Sequence, residues 1–309
     1  MIYNNVLEAV GNTPMIRLSK LTNPDDAQVL VKFEAVNIGG SVKTRTALEI
    51  IEAAERRGEL DKNSVIVEAT SGNQGIGLSL VGAVKGYKVV IIMPDSVSRE
   101  RLMLMKQYGA EVRLVHDDNN IGECIKECMR QAQQMAAEYP NVYCPDQFSN
   151  EDNIIAHHKH TAAEILEQVN GTIDGFCSGI GTGGTITGIG RLLKEKNPDI
   201  KIYAVEPENA AILSGGGVGT HLQMGIGDGV IPDILDTEIY DEISIVTDEE
   251  AIKTTRLLAR EEGLLCGISG GTNVCVALRM AKELGEGKTV VTLLPDTGER
   301  YFSTPLYED

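Results

Sequence analysis

Short apolar runs, of which Val-Val-Ile-Ile-Met at 89–93 is the plainest, recur along the chain with a stretch of helical periodicity after each. Runs at 28–33, 64–68, 87–93, 111–115, 173–177, 201–205 and 289–294 read as strands. Helices are expected at 42–57, 73–85, 98–108, 122–138, 154–169, 184–196, 249–262 and 270–284. Strands that alternate with helices form βαβ units, and so parallel sheets with helices on both faces. A strand apolar on both sides fits such a sheet, because neither face meets water. The expected fold class is α/β. With 309 residues and about 150 residues per domain, two domains are expected. Residues 42–147 hold one full set of βα units and read as a smaller inserted domain, with 1–41 plus 148–309 forming the larger one. No repeat of solenoid length is visible.

Lys and Arg number 28 against 45 Asp and Glu, a net charge of −17. That balance argues against a nucleic-acid partner, since such binding draws on cationic neutralisation of phosphates. The apolar runs fall far short of the roughly 20 residues that a bilayer span needs. The opening Met-Ile-Tyr-Asn-Asn has neither the basic nor the apolar region of a secretory signal. The six cysteines are scattered and form no disulfide framework. Cys124 and Cys128 lie one helical turn apart, but no Cys-x-x-Cys pair exists, so buried thiols are expected rather than a metal site. His157, His158 and His160 lack an evident further ligand, and no metal is expected there either. The stretch 232–250, with eight acidic residues and no Lys or Arg, reads as a solvated face. A soluble, acidic, globular protein of the cytoplasm is the expectation.

Three segments, each between an expected strand and an expected helix, carry the chemistry. Gly179-Ile-Gly181-Thr-Gly183-Gly184-Thr185 lets successive N–H groups converge at a helix start, which suits an anion. The hydroxyls of Thr182 and Thr185 add donors for a phosphate monoester. Gly179, Gly181 and Gly184 also fit G-x-G-x-x-G, with Glu206 where a ribose-binding acid would sit, so a dinucleotide site competes. Thr70-Ser71-Gly72-Asn73-Gln74-Gly75 offers hydroxyls, amides and free N–H groups suited to a carboxylate. Gly39-Gly40-Ser41-Val42-Lys43 puts a cation in a first helical turn, where the dipole disfavours it. A lysine there can act as an amine nucleophile or a proton carrier.

Taken together, these segments resemble the cysteine synthase and cystathionine β-synthase group of pyridoxal-phosphate enzymes, fold type II. The likeness runs from Gly11-Asn-Thr-Pro14 to Leu294-Pro-Asp-Thr-Gly-Glu-Arg300. Between them, in family order, stand Ser41-Val-Lys43, Thr70-Ser-Gly-Asn73, Gln147-Phe148, Gly181-Thr-Gly-Gly-Thr185, Gly225-Ile-Gly227 and Gly267-Ile-Ser269. This order displaces the dinucleotide reading. The fold implied is that of the tryptophan synthase β-subunit: two domains, each a mostly parallel sheet flanked by helices. By position, Lys43 matches the lysine that holds pyridoxal 5'-phosphate as a Schiff base and then removes the substrate Cα proton. Gly181, Thr182, Gly183, Gly184 and Thr185 match the phosphate cup, Asn73 the partner of the ring hydroxyl, and Ser269 the partner of the pyridine nitrogen. Thr70, Ser71, Gly72, Gln74 and Gln147 match the region that holds the substrate α-carboxylate. A neutral serine at the ring nitrogen implies a weaker electron sink than a charged partner would give. Loss of a β-substituent, through an α-aminoacrylate, then competes well with transamination.

Three positions depart from the usual cysteine synthase pattern. Gln74 stands where threonine is usual, Thr44 where aspartate is common, and Asp228, in Gly225-Ile-Gly-Asp228-Gly, where a small residue is usual. The nominal activity implied is cysteine synthesis from O-acetylserine and sulfide, by a homodimer acting on O-acetylserine, serine or cysteine. The alternative is an enzyme that consumes L-cysteine and releases hydrogen sulfide. Water or a thiol then adds to give serine, lanthionine or a thioether, with Asp228 as base. A non-catalytic pyridoxal-phosphate-binding partner is a third possibility, against which Lys43 and the intact carboxylate loop both count. No regulatory extension or haem-binding segment of the cystathionine β-synthase kind is expected.

Overall fold

The computed structural model describes residues 2–70, 72–118 and 120–308. The strands are β1 (Met15–Arg17), β2 (Gln28–Phe33), β3 (Val65–Ala69), β4 (Lys88–Pro94), β5 (Glu111–Val115), β6 (Val142–Tyr143), β7 (Gly175–Gly179), β8 (Lys201–Pro207), β9 (Glu242–Val246) and β10 (Thr289–Leu294). The helices are α1 (Lys43–Arg57), α2 (Asn73–Lys85), α3 (Arg99–Gln107), α4 (Ile121–Glu138), α5 (Glu151–Ala156), α6 (Ala162–Gln168), α7 (Gly184–Lys196), α8 (Asp248–Glu262) and α9 (Ile268–Leu284). One sheet runs β1-β2-β10-β7-β8-β9 and the other β5-β4-β3-β6. Among the described residues, β1–β2 is the only antiparallel pair of named strands. No helix is long and apolar enough to cross a membrane among the described residues.

Both sheets are covered on both faces, which explains their continuous apolar strands. Along β10, Val290 and Leu294 join one core cluster while Val291 and Leu293 join another on the opposite side. Along β4, Val89, Ile91 and Met93 pack to one side and Val90 and Ile92 to the other. Glycines end α1, α2 and α8 in the left-handed conformation, where no side chain penalises it.

Helix 154–169 of the sequence reading is interrupted. α5 gives way to a single π-helical turn, His157–Thr161, before α6 resumes the α-helix. The wider turn rotates His157 inward, where both ring nitrogens meet threonine hydroxyls. Strands β1, β6 and β9 went unread. The first two have three and two residues, too few to show a period. β9 lies within the acidic stretch 232–250, so that stretch is not wholly a solvated face. Leu235, Ile239 and Val246 are buried there, and Asp236 and Asp241 bind Arg191 and Lys194.

A buried ionic cluster pins the start of α1. Arg45 binds Glu34 at 2.9 Å and Glu164 at 2.6 Å, and Lys32 binds Glu164 at 2.7 Å. Burial alone would raise the Glu164 pKa, but Arg45 and Lys32 outweigh it and hold the carboxyl at about 2. A depressed carboxylate pKa stabilises the fold fully above the unfolded value of about 4.3. The contribution fades as pH falls from there towards 2. Glu164→Gln is expected to destabilise the protein by about 3 kcal/mol, because two buried cations then share one carboxylate. Urea denaturation at neutral pH and at pH 3 checks this: the gap between variant and wild type should narrow at the lower pH.

Candidate active site

The chemistry-bearing segments all follow the C-terminal ends of parallel strands, where open α/β sheets bind ligands. β2 leads to Lys43, β3 to Thr70, β6 to Gln147, β7 to the glycine loop and β10 to Pro295. α1 starts against the end of β10, with Ser41 bridged to Asp296 and the Val42 N–H bonded to the Pro295 carbonyl at 2.8 Å. Lys43, first residue of α1, points into a cavity with Nζ 3.4 Å from Thr182 Oγ1. Burial pulls its pKa down to about 8, against the attraction of Asp228 and Glu68.

On the far wall α7 begins at Gly184. Gly183 adopts φ +80°, and a Cβ there would press on Leu235. A Cβ on Gly184 would overlap the Asn153 side chain. First-turn N–H groups have no partner within their own helix, so the cup offers several donors and a positive dipole end to an anion. Gly181, Thr182, Gly183 and Thr185 line the cavity. Glu206 does not: its carboxylate accepts from the Leu213 and Ser214 N–H groups and the Ser214 hydroxyl. The dinucleotide alternative thereby loses its ribose partner.

The opposing wall comes from the smaller sheet. Thr70, Asn73, Gln74 and Gln147 line the cavity, and Gly72 packs closely under Arg101. Ser71 lies outside the described residues. Gln74 and Gln147 are 1% and 3% exposed, yet both amide atoms of Gln74 and Oε1 of Gln147 lack a hydrogen-bond partner. A buried polar atom left this way costs about 1–3 kcal/mol, so orphaned amides facing a cavity point to a polar ligand. The Asn73 amide already serves the seam between the sheets. It donates to Asp296 Oδ2 at 2.7 Å and accepts from Arg300, which leaves one N–H for the cavity. Thr44 is buried beside Gly39 and does not line the cavity.

Asp228 and Ser269 complete the lining. Asp228 is half-buried; desolvation raises its pKa, opposed by His221, Lys43 and Arg101. His221 closes the loop that carries it. Its Nε2 lies 3.0 Å from the Gly227 carbonyl and its Nδ1 3.2 Å from the Gln223 N–H.

The sequence reading missed the roles of four residues. Asn153, fully buried, donates to both the Gln147 carbonyl and Thr182 Oγ1, joining the carboxylate wall to the glycine cup. His157 backs the cup, 3.2 Å from Thr185 Oγ1, and burial holds its pKa well below the usual value. Arg101 spans to Tyr301, and Glu68 grips the backbone at 146–147. The signal for Glu68 was a charge in an apolar strand; Arg101, beside Arg99 and Glu100, and Asn153 carried none, and His157 stood out only within its histidine cluster. The three clustered histidines diverge, with His158 near Glu195 and His160 near Glu49. Among the described residues no group of three metal-ligating side chains converges.

An amine, an anion cup, a hydroxyl at a helix start and unpartnered amides meet in one cavity. That donor set fits pyridoxal phosphate together with an amino-acid carboxylate. The pyridoxal-phosphate dependent enzyme family matches residues 6–296. A cysteine synthase of Staphylococcus aureus is 47% identical over 305 residues, 98% of this chain and 97% of the relative. Among solved structures, a cysteine synthase from Entamoeba histolytica aligns with TM-score 0.93 and 40% identity, covering 100% of this chain and 92% of that one. A hydrogen sulfide-producing enzyme from Fusobacterium nucleatum aligns with TM-score 0.92 and 41% identity, over 97% and 100% of the two chains. The chain belongs to the cysteine synthase family of pyridoxal-phosphate-dependent enzymes.

Proposed function

We propose that the protein replaces the β-substituent of a serine- or cysteine-type amino acid, with O-acetylserine plus sulfide giving L-cysteine as the nominal reaction. The meeting of Lys43, the cup at 181–185 and the unpartnered amides of Gln74 and Gln147 carries this reading. Pyridoxal phosphate, when bound, supplies the electron sink that acidifies the substrate Cα–H and lets the β-substituent leave. Lys43 holds the cofactor through Nζ and carries the Cα proton. A lysine pKa near 8 keeps part of the amine free at neutral pH, which that proton transfer needs. Gly181, Thr182, Gly183, Gly184 and Thr185 hold the phosphate, the remaining Asn73 N–H meets the ring hydroxyl, and the Ser269 hydroxyl faces the pyridine nitrogen. Thr70, Ser71, Gly72, Gln74 and Gln147 enclose the α-carboxylate. Residues 42–147 act as a domain that closes on the substrate and excludes water, since both walls supply ligands. A cytoplasmic homodimer completes the proposal: the family likeness supports the dimer, and six free thiols suit a reducing compartment.

Asp228 favours a second reading, in which L-cysteine is consumed and sulfide released. Its half-buried carboxylate stands in the same cavity as Lys43, where it can take a proton from water or a thiol. Separate incubations with O-acetylserine plus sulfide and with L-cysteine alone, followed by product identification, decide between the two. No product from either overturns the proposal as a whole. Gln147→Ala is expected to weaken substrate binding by about 1–3 kcal/mol, the range for a charge-assisted hydrogen bond. Because the same contact drives closure, kcat should fall with it. Steady-state kinetics beside cofactor content check this, and a change in cofactor content alone would mean the carboxylate site is misplaced.

A further inference from the structure

Glu68 is a carboxylate in a place that otherwise suits an aliphatic side chain. It is 1% exposed near the end of β3, on the sheet face that Ile66 shares, and two residues before Thr70. An apolar residue there would continue the core without the desolvation that a carboxylate suffers. Its two oxygens divide the labour: Oε2 accepts from the Asp146 N–H at 2.9 Å and Oε1 from the Gln147 N–H at 3.2 Å. Asp146 adopts φ +46°, a left-handed conformation that few side chains favour, directly before the buried Gln147. The Gln147 carbonyl is held in turn by Asn153 Nδ2 at 2.8 Å, so the peptide is fixed on both sides.

We propose that Glu68 is a positioning residue for substrate recognition, which sets the reach between Gln147 and Thr70 by gripping the two N–H groups of 146 and 147 from the end of β3. The inference rests on reading Thr70 and Gln147 as the α-carboxylate site. Two adjacent N–H donors need two acceptors, which an ionised carboxylate supplies and an amide does not. Burial and the neighbouring Asp146 carboxylate push the Glu68 pKa up to about 8, while both N–H bonds and Lys43 oppose that rise, so the carboxylate with two free acceptors prevails above that pH. A glutamine at 68 keeps one acceptor and turns an NH2 against the other N–H. An aspartate keeps both acceptors but sits one methylene short.

Titration of the holoenzyme at pH 9, where Glu68 is ionised, with L-cysteine and with L-cysteinamide, followed by the visible absorbance of the bound cofactor, tests the proposal. The amide lacks the negative carboxylate but keeps the rest of the ligand. Glu68→Gln should weaken L-cysteine about tenfold, the equivalent of one misaimed charge-assisted bond, and leave L-cysteinamide within about twofold. Glu68→Asp should shift in the same direction, and it keeps the test alive if the glutamine variant does not fold. Gln147→Ala is the control for the underlying site. If Gln147→Ala affects both ligands equally, the carboxylate assignment falls and this inference with it. If Gln147→Ala discriminates and neither Glu68 variant does, the carboxylate site stands and the role of Glu68 is overturned. Equal weakening of both ligands in the Glu68 variants, or loss of cofactor, would make Glu68 structural and likewise overturn the proposal.

Discussion

Lys43→Ala is expected to lower turnover by at least about 10³-fold while the protein stays folded, because the proposed mechanism asks one side chain to be both cofactor anchor and proton carrier. The fold does not depend on this ammonium. Burial already disfavours it, pulling its pKa down to about 8. Removal leaves Asp228 and Glu68 without their shared cation, and both answer by taking up protons rather than by unfolding the site. Pyridoxal phosphate should still enter through the cup at 181–185 but leave on dialysis, where the wild type retains it. The visible absorption of protein-held cofactor should shift towards that of the free compound. Turnover at the wild-type rate in the variant, with the fold verified by its melting transition, would remove Lys43 from the mechanism.

How far such a site is legible beforehand depends on whether its chemistry is written in runs or in single residues. β4 and β10 were readable because a sheet buried on both faces requires an apolar residue at nearly every position. The glycine cup was readable for a related reason: Gly183 and Gly184 are forced by backbone conformation and by the approach of Leu235 and Asn153, and a cluster of glycines is conspicuous. Edge strands carry no such requirement. β9 pairs on one side only, with β8, and its Glu-Ile-Ser-Ile-Val is diluted by the acids around it. The π turn at His157–Thr161 was invisible because it changes hydrogen-bond spacing without changing which residues are apolar.

Residues that position others were the hardest to see. Asn153 and His157 touch the site through Thr182 and Thr185, from helices whose contact with α7 only the tertiary structure defines. Glu68 left a faint trace as the one charge in Val-Ile-Val-Glu-Ala, since a buried charge is kept only where something must be held. Lys43 and Asp228 differ again. Each was singled out in the chain as a residue out of place, and the fold brings them to one cavity from segments 185 positions apart (228 − 43).

Asp228→Asn is expected to let L-cysteine release about one equivalent of sulfide per active site and then stall, with sustained turnover down about 10²-fold or more, the usual worth of a positioned base. Departure of the thiol from the substrate does not need Asp228. In the reading that consumes L-cysteine, addition of water or a second thiol does, because the nucleophile must lose a proton as it bonds to carbon. Desolvation raises the Asp228 pKa, which makes it a stronger base. The wild-type rate from L-cysteine should therefore rise with pH along a limb displaced upwards from ordinary carboxylate titration, and the Asn variant should lack that limb. An ionised carboxylate here also repels hydrosulfide, the nucleophile that cysteine synthesis requires. At an effective dielectric of about 20, a like charge within several ångströms opposes entry by roughly 1–3 kcal/mol. Asp228→Ala should then raise the rate with O-acetylserine plus sulfide by about tenfold relative to the rate with L-cysteine alone, as about 1.4 kcal/mol of lost repulsion implies. Rapid-mixing measurement of sulfide from L-cysteine, beside steady-state rates for both reactions, gives each quantity for wild type and both variants. An Asn variant that turns over past the first equivalent, together with an Ala variant of unchanged preference, would make Asp228 a bystander and leave cysteine synthesis alone as the activity.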